Sequence, residues 1–144
     1  MRTPDDDDTL ALDEAQTEAF RQQLQARLRE LAMEVRRANE ERTERQMATA
    51  PGTTDNPGDQ GDQAEQRASQ ALRDAESLRD IDELREVEAA LERLAVGRYG
   101  ECVDCGVQIA LRRLNVQPAA ARCLMCQERH ERTHPVVQRN SPWS

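Results

Sequence analysis

Four cysteines constrain this chain more than anything else in it: Cys102-Val103-Asp104-Cys105 and Cys123-Leu124-Met125-Cys126, two C-x2-C pairs separated by seventeen residues. A two-residue spacer lets both thiolates of a pair reach one ion, and the gap is long enough for a loop to return the second pair. This spacing falls in the range of paired C-x2-C zinc sites. Four thiolates complete a tetrahedral Zn2+ shell and leave no position for water, so one structural ion, not a catalytic one, is expected. Gly106, directly after the second cysteine, suits the backbone turn of a zinc knuckle. A redox C-x2-C would need a strand–helix unit beside it, and the pattern lacks one. Two disulfides would suit an exported chain, but no signal-peptide pattern follows Met1-Arg2-Thr3-Pro4. His130 and His134 are surplus to a complete ligand set and read as residues of a surface helix.

A metal-held module matters here because the rest of the chain has little material for a core. Hydrophobic residues make up 37% and charged residues 33%, and the aromatics are Phe20, Tyr99 and Trp143 alone. That composition suits long helices with narrow apolar seams, plus a module to which zinc supplies folding energy. Net charge is −8, and every cationic side chain is arginine, since the sequence contains no lysine. An acidic chain gains no counterion-release term on DNA, so sequence-specific DNA binding is not expected. No apolar run approaches eighteen residues, so no membrane span is expected either. The expected location is the reducing cytoplasm.

Taken in order, residues 1–12 carry Asp5-Asp6-Asp7-Asp8 and read as a disordered acidic arm. Asp13 then reads as a helix N-cap. From 13 to 48, Phe20, Leu24, Leu28, Leu31, Val35 and Ala38 recur at spacings of four and three, a single helical seam. Residues 49–61 hold Pro51, Gly52, Pro57, Gly58 and Gly61 and break the helix. A second helix is expected over 62–95, with a seam of Ala64, Ala68, Ala71, Ala75, Leu78, Ile81, Leu84, Val87, Leu91 and Leu94. Two matched helices joined by a breaker predict a long antiparallel helical hairpin over 13–96, a coiled coil of about 50 Å with its tip at 49–62. The zinc finger and a short C-terminal helix occupy 97–134, and 135–144 form a loose tail. The fold class is mainly α. Arg112 and Arg113, adjacent in the finger, are solvated charges or contacts to an acidic partner surface.

The tip carries Asp59-Gln60-Gly61-Asp62-Gln63-Ala64. Taken alone, Asp62 caps the second helix, and Glu65 completes a capping box. The finger sequence shifts that balance. Gly97-Arg98-Tyr99-Gly100-Glu101, both cysteine pairs, Arg112-Arg113-Leu114 and Pro118 together resemble the zinc finger of the DksA/TraR family of bacterial transcription regulators. Asp59, Asp62 and Ala64 supply that family's D-x-x-D-x-A tip motif, and Asp13-Glu14-Ala15-Gln16 with Phe20-Arg21 resembles the start of its hairpin. The resemblance covers about residues 13–132.

The resemblance implies a non-enzymatic regulator that binds bacterial RNA polymerase, monomeric when bound. It implies entry through the secondary channel, tip aspartates near the polymerase active site, and altered stability of promoter complexes. Members that respond to guanosine tetraphosphate hold its phosphates with basic residues, where this chain aligns Glu86, Gln117 and Gln127. Weak or absent response is therefore expected. Without the resemblance, the residues equally describe a zinc-ribbon coiled-coil adaptor with no role at the polymerase active site. Thiol–disulfide exchange by one C-x2-C pair is the enzymatic reading that fits least.

Overall fold

A computed structural model describes residues 10–48 and 60–134. It contains four helices among those residues: α1 (Glu14–Ala48), α2 (Gln60–Ala95), α3 (Leu111–Val116) and α4 (Leu124–Thr133). The expected mainly α architecture is present, with two long helices, a four-cysteine finger and a short C-terminal helix; α3 is an addition to it. The described residues hold no strand, only one antiparallel bridge between Glu101 and Gln108. No described helix is long and apolar enough to cross a membrane. The expected acidic arm before Leu10, the breaker segment 49–59 and the tail 135–144 lie outside the described residues.

α1 begins where Asp13 and Gln16 form a reciprocal capping box. The Gln16 amide donates to Asp13 Oδ1 at 2.7 Å, and the Asp13 amide donates to Gln16 Oε1 at 3.0 Å. Two of the four orphan donors at the helix start are thereby satisfied. α2 begins at Gln60, ahead of the expected start, so Asp62 lies inside its first turn and does not precede it. The expected Asp62–Glu65 capping box is corrected accordingly; Asp62 acts as an acidic first-turn residue on the positive helix end.

The chain forms two compact units, residues 1–28 with 85–144, and residues 29–84. In the first, Phe20 and Leu24 of α1 and Val87, Ala90 and Leu94 of α2 are buried together with Tyr99, Ile109, Leu114 and Pro118 of the finger. Phe20 and Tyr99 join helix and finger directly, with ring centroids 5.6 Å apart and planes tilted by 46°. Leu12, assigned to the arm by composition, is half-buried against Gly100, where an added Cβ would stand 3.3 Å from Leu12 Cδ1.

In the second unit the α1 seam is as expected, with Leu31 buried and Val35 and Ala38 half-buried. The α2 seam is not. Ala64, Ala68, Ala71, Ala75 and Leu78 are exposed, whereas Gln70, Asp74, Ser77, Ile81 and Leu84 are half-buried, as are Gln63, Arg79, Asp80 and Asp82, and Glu83 is buried. Gln70 Nε2 donates to Asp74 Oδ1 at 2.8 Å among these half-buried positions. The cause is helical phase. Leu78 and Val87 are nine residues apart, about two and a half turns at 3.6 residues per turn, so they lie on opposite faces. The expected α2 seam joined two apolar stripes half a turn out of register.

Candidate metal centre and acidic motif

The finger brings all four cysteines to one point. Their Sγ atoms lie within 4.8 Å of one another, and they are the described His, Cys, Asp and Glu residues that converge in this way. Cys105 and Cys123 Sγ are 3.8 Å apart. A tetrahedral ion with Zn–S bonds of about 2.3 Å sets its sulfurs about 3.8 Å apart, whereas a disulfide needs about 2.0 Å. The donor set therefore fits zinc and not a cross-link. Cys102 and Cys126 are buried, Cys123 is half-buried and Cys105 is exposed, so the site opens to water on one side only.

Local backbone chemistry builds each half. In the first knuckle, the Cys102 amide donates to Val107 O at 2.8 Å, and the Gly106 amide donates to Cys102 O at 2.9 Å. Gly106 has φ 78°, a conformation that a residue with Cβ rarely adopts, and this is the turn expected after Cys105. In the second half, Cys123 is the N-cap of α4 and Cys126 sits in its first turn, so one helix N-terminus presents both sulfurs. The Val103 amide donates to Ala121 O at 2.9 Å and ties the two halves together.

The thiols perturb one another strongly. Burial pushes the Cys102 thiol up, but the amides of Cys105, Cys123 and Asp104 more than offset it and hold it down to about 6. The Cys126 thiol is pushed up to about 12, first by its bond with Cys123 and then by burial. Thiols held this close resist being ionised together, so a full set of thiolates needs a cation to stabilise it.

Several residues that brace the site carry no motif in the sequence. Arg122 Nε pairs with Asp104 Oδ2 at 2.8 Å, clamping one knuckle to the other. Arg113 Nε donates to Arg122 O at 3.1 Å. Arg113, read as a possible partner contact, is thus turned into the finger, while Arg112 is exposed. Arg93 of α2 donates to Ala119 O at 3.3 Å, and the Tyr99 hydroxyl donates to Pro118 O at 2.6 Å. Burial raises the Tyr99 pKa, an effect Arg93 partly opposes, so the hydroxyl stays a donor across the working pH range. Tyr99→Phe should cost about 1–2 kcal/mol by leaving that carbonyl without its donor. Denaturant unfolding of the zinc-loaded protein checks this. His130 and His134 lie outside the sulfur cluster and stack on each other, centroids 4.5 Å apart.

Comparison with known proteins bears on the whole arrangement. Residues 97–132 match the family model for the prokaryotic dksA/traR C4-type zinc finger. The RNA polymerase-binding transcription factor DksA of Caulobacter vibrioides, in strains NA1000/CB15N and CB 15, is 43% identical over 49 residues. Those alignments take in 34% of this chain and 34% of each relative, about a third of their length. The solved structure of transcription factor DksA2 from Pseudomonas aeruginosa superposes with a TM-score of 0.63 at 32% identity, covering 86% of this chain and 89% of that one. The chain belongs to the DksA/TraR family.

Of the expected tip residues, Asp62 and Ala64 are both exposed near the start of α2, and Asp59 lies outside the described residues. Of the three positions where the resemblance leads one to expect alarmone contacts, Glu86 is exposed on α2. Gln117 is half-buried at the C-cap of α3. Gln127 is half-buried on α4, where its Nε2 donates to Glu131 Oε1 at 3.0 Å.

Proposed function

We propose that this chain is a non-enzymatic transcription regulator that binds bacterial RNA polymerase through the secondary channel and alters the stability of promoter complexes. The observation that carries the reading is the likeness to a transcription factor along 89% of that factor's length at 32% identity. The name of the Caulobacter relatives, which specifies polymerase binding, supports the choice of partner. In this reading Asp59, Asp62 and Ala64 approach the polymerase active site. Carboxylates suit the catalytic Mg2+ and the basic groups around it, where hydrogen bonds and ion contacts are charge-assisted. The finger acts as a rigid base whose zinc is structural, and Arg112 is one of its exposed cations that would face an acidic partner surface.

In vitro transcription from a ribosomal RNA promoter tests the proposal, with bacterial RNA polymerase and the zinc-loaded chain titrated in. Output should change saturably with concentration. Unchanged output and unchanged promoter-complex lifetime at saturating protein would refute it.

The same assay reads the alarmone response. Glu86, Gln117 and Gln127 offer one carboxylate and two amides in place of phosphate-binding cations, and Glu86 repels a polyphosphate. Guanosine tetraphosphate should therefore alter the chain's effect less than about twofold, since uncharged donors give weaker bonds to phosphate than charged ones. Calorimetry with polymerase present provides a second readout. Affinity equal to that of a homologue carrying basic residues would contradict the expectation.

A further inference from the structure

The second apolar stripe of α2 has a partner requirement of its own. Ala64, Ala68, Ala71, Ala75 and Leu78 follow spacings of four, three, four and three, a strict heptad seam of the kind that packs helix on helix. The seam faces away from α1, and Leu78 and the adjacent Leu72 are 58% and 57% exposed. What singles out the occupant is the charge along the stripe's outer edge. Glu65, Leu72 and Arg79 are spaced by seven residues each, with opposite charges at equal distances on either side of a leucine. Neither Glu65 nor Arg79 is engaged in an ion pair among the described residues.

That pattern is its own complement under a two-fold axis. We infer that the outward face of α2 over residues 65–79 docks antiparallel on the same face of a second copy of this chain. With the axis at the level of residue 73, Glu65 meets Arg79 of the second copy along the edge, Arg79 meets Glu65 of the second copy, and the two Leu72 side chains flank the axis and meet each other. The same register sets Ala71 opposite Ala75 and Ala68 opposite Leu78, so small residues face one another and the backbones approach closely. An isologous contact of this kind counts every pair twice and closes on itself as a dimer. The contact is about 21 Å long at 1.5 Å per residue. Asp74, whose charge would face itself across the axis, is half-buried on the sheltered side and bonded to Gln70. The dimer goes beyond the transcription proposal and does not depend on it.

Sedimentation equilibrium of the zinc-loaded full chain over a concentration series tests it. The mass should rise with concentration from 16.3 kDa towards twice that value. Glu65→Arg and Arg79→Glu alone should each weaken the dimer by about tenfold or more, because each replaces two attractive rim contacts with two repulsive ones. The double charge exchange should restore wild-type association, and Leu72→Glu should abolish it, with circular dichroism confirming helix content in every variant. A monomer at all concentrations would overturn the inference, as would a dimer indifferent to the single exchanges. A monomer whose Leu72→Glu variant loses affinity for RNA polymerase would overturn it too, and would give the face to the polymerase.

Discussion

Cys126→Ser, or stripping the ion with a strong chelator at neutral pH, is expected to unfold residues 97–134 as a unit. Structural zinc supplies on the order of 10 kcal/mol to a small module, comparable to the whole stability of an ordinary domain. The finger has little else to draw on: its fully buried large side chains are Ile109, Leu114 and Pro118. Without the cation, four thiols crowded within 4.8 Å of one another replace a bonded cluster. Acid should act in the same direction, since protons compete with the ion for thiolates. The loss should spread into the helix pair near the finger, because Phe20 loses Tyr99, while the capping box at Asp13 and Gln16 survives. Amide NMR of the zinc-loaded and chelated protein reads this residue by residue. Undiminished dispersion for residues 97–134 after stoichiometric zinc release would show that packing alone holds the finger.

The second large effect concerns function. Asp59→Asn with Asp62→Asn is expected to remove nearly all of the chain's effect on a ribosomal RNA promoter while leaving polymerase binding within about threefold of wild type. The reasoning is electrostatic: an amide keeps the size of a carboxylate and one acceptor oxygen, but it turns the other oxygen into an N–H donor and loses the charge that a metal ion and basic groups would feel. Stability should change little. Asp62 is exposed in the first turn of α2, and replacing a first-turn carboxylate costs about 0.3–1 kcal/mol. Transcription and a polymerase-binding assay, run on the same preparations, separate the outcomes. Full activity of the double variant would leave Asp62 as a first-turn helix residue and favour the adaptor reading of the chain.

Much of the architecture could be read from local patterns. The cysteine spacing led to the metal centre because ligand geometry depends on short separations within the chain. The Phe20–Ala38 periodicity led to α1 and its buried face, and Asp13 to its cap, although the partner role of Gln16 emerged only with the reciprocal bonds. Contacts that brace the finger were not legible. Tyr99 with Pro118, Arg122 with Asp104, and Arg113 with the carbonyl of residue 122 join positions whose separation follows no repeat. The helix character of Leu111–Val116 was hidden for a related reason, since six residues are too few to show a period.

α2 marks the boundary between the two kinds of information most clearly. Its sequence determined a long helix bearing two apolar stripes, one ending in Val87, Ala90 and Leu94, the other running from Ala64 to Leu78. Local propensity treats the stripes alike, and read end to end they pass for a single seam. Only the tertiary structure decided between them. Val87, Ala90 and Leu94 are buried with Phe20, Leu24 and the finger, whereas Ala64, Ala68, Ala71, Ala75 and Leu78 are exposed. Which stripe is covered is decided by packing against residues distant in sequence, and local periodicity carries no information about those partners.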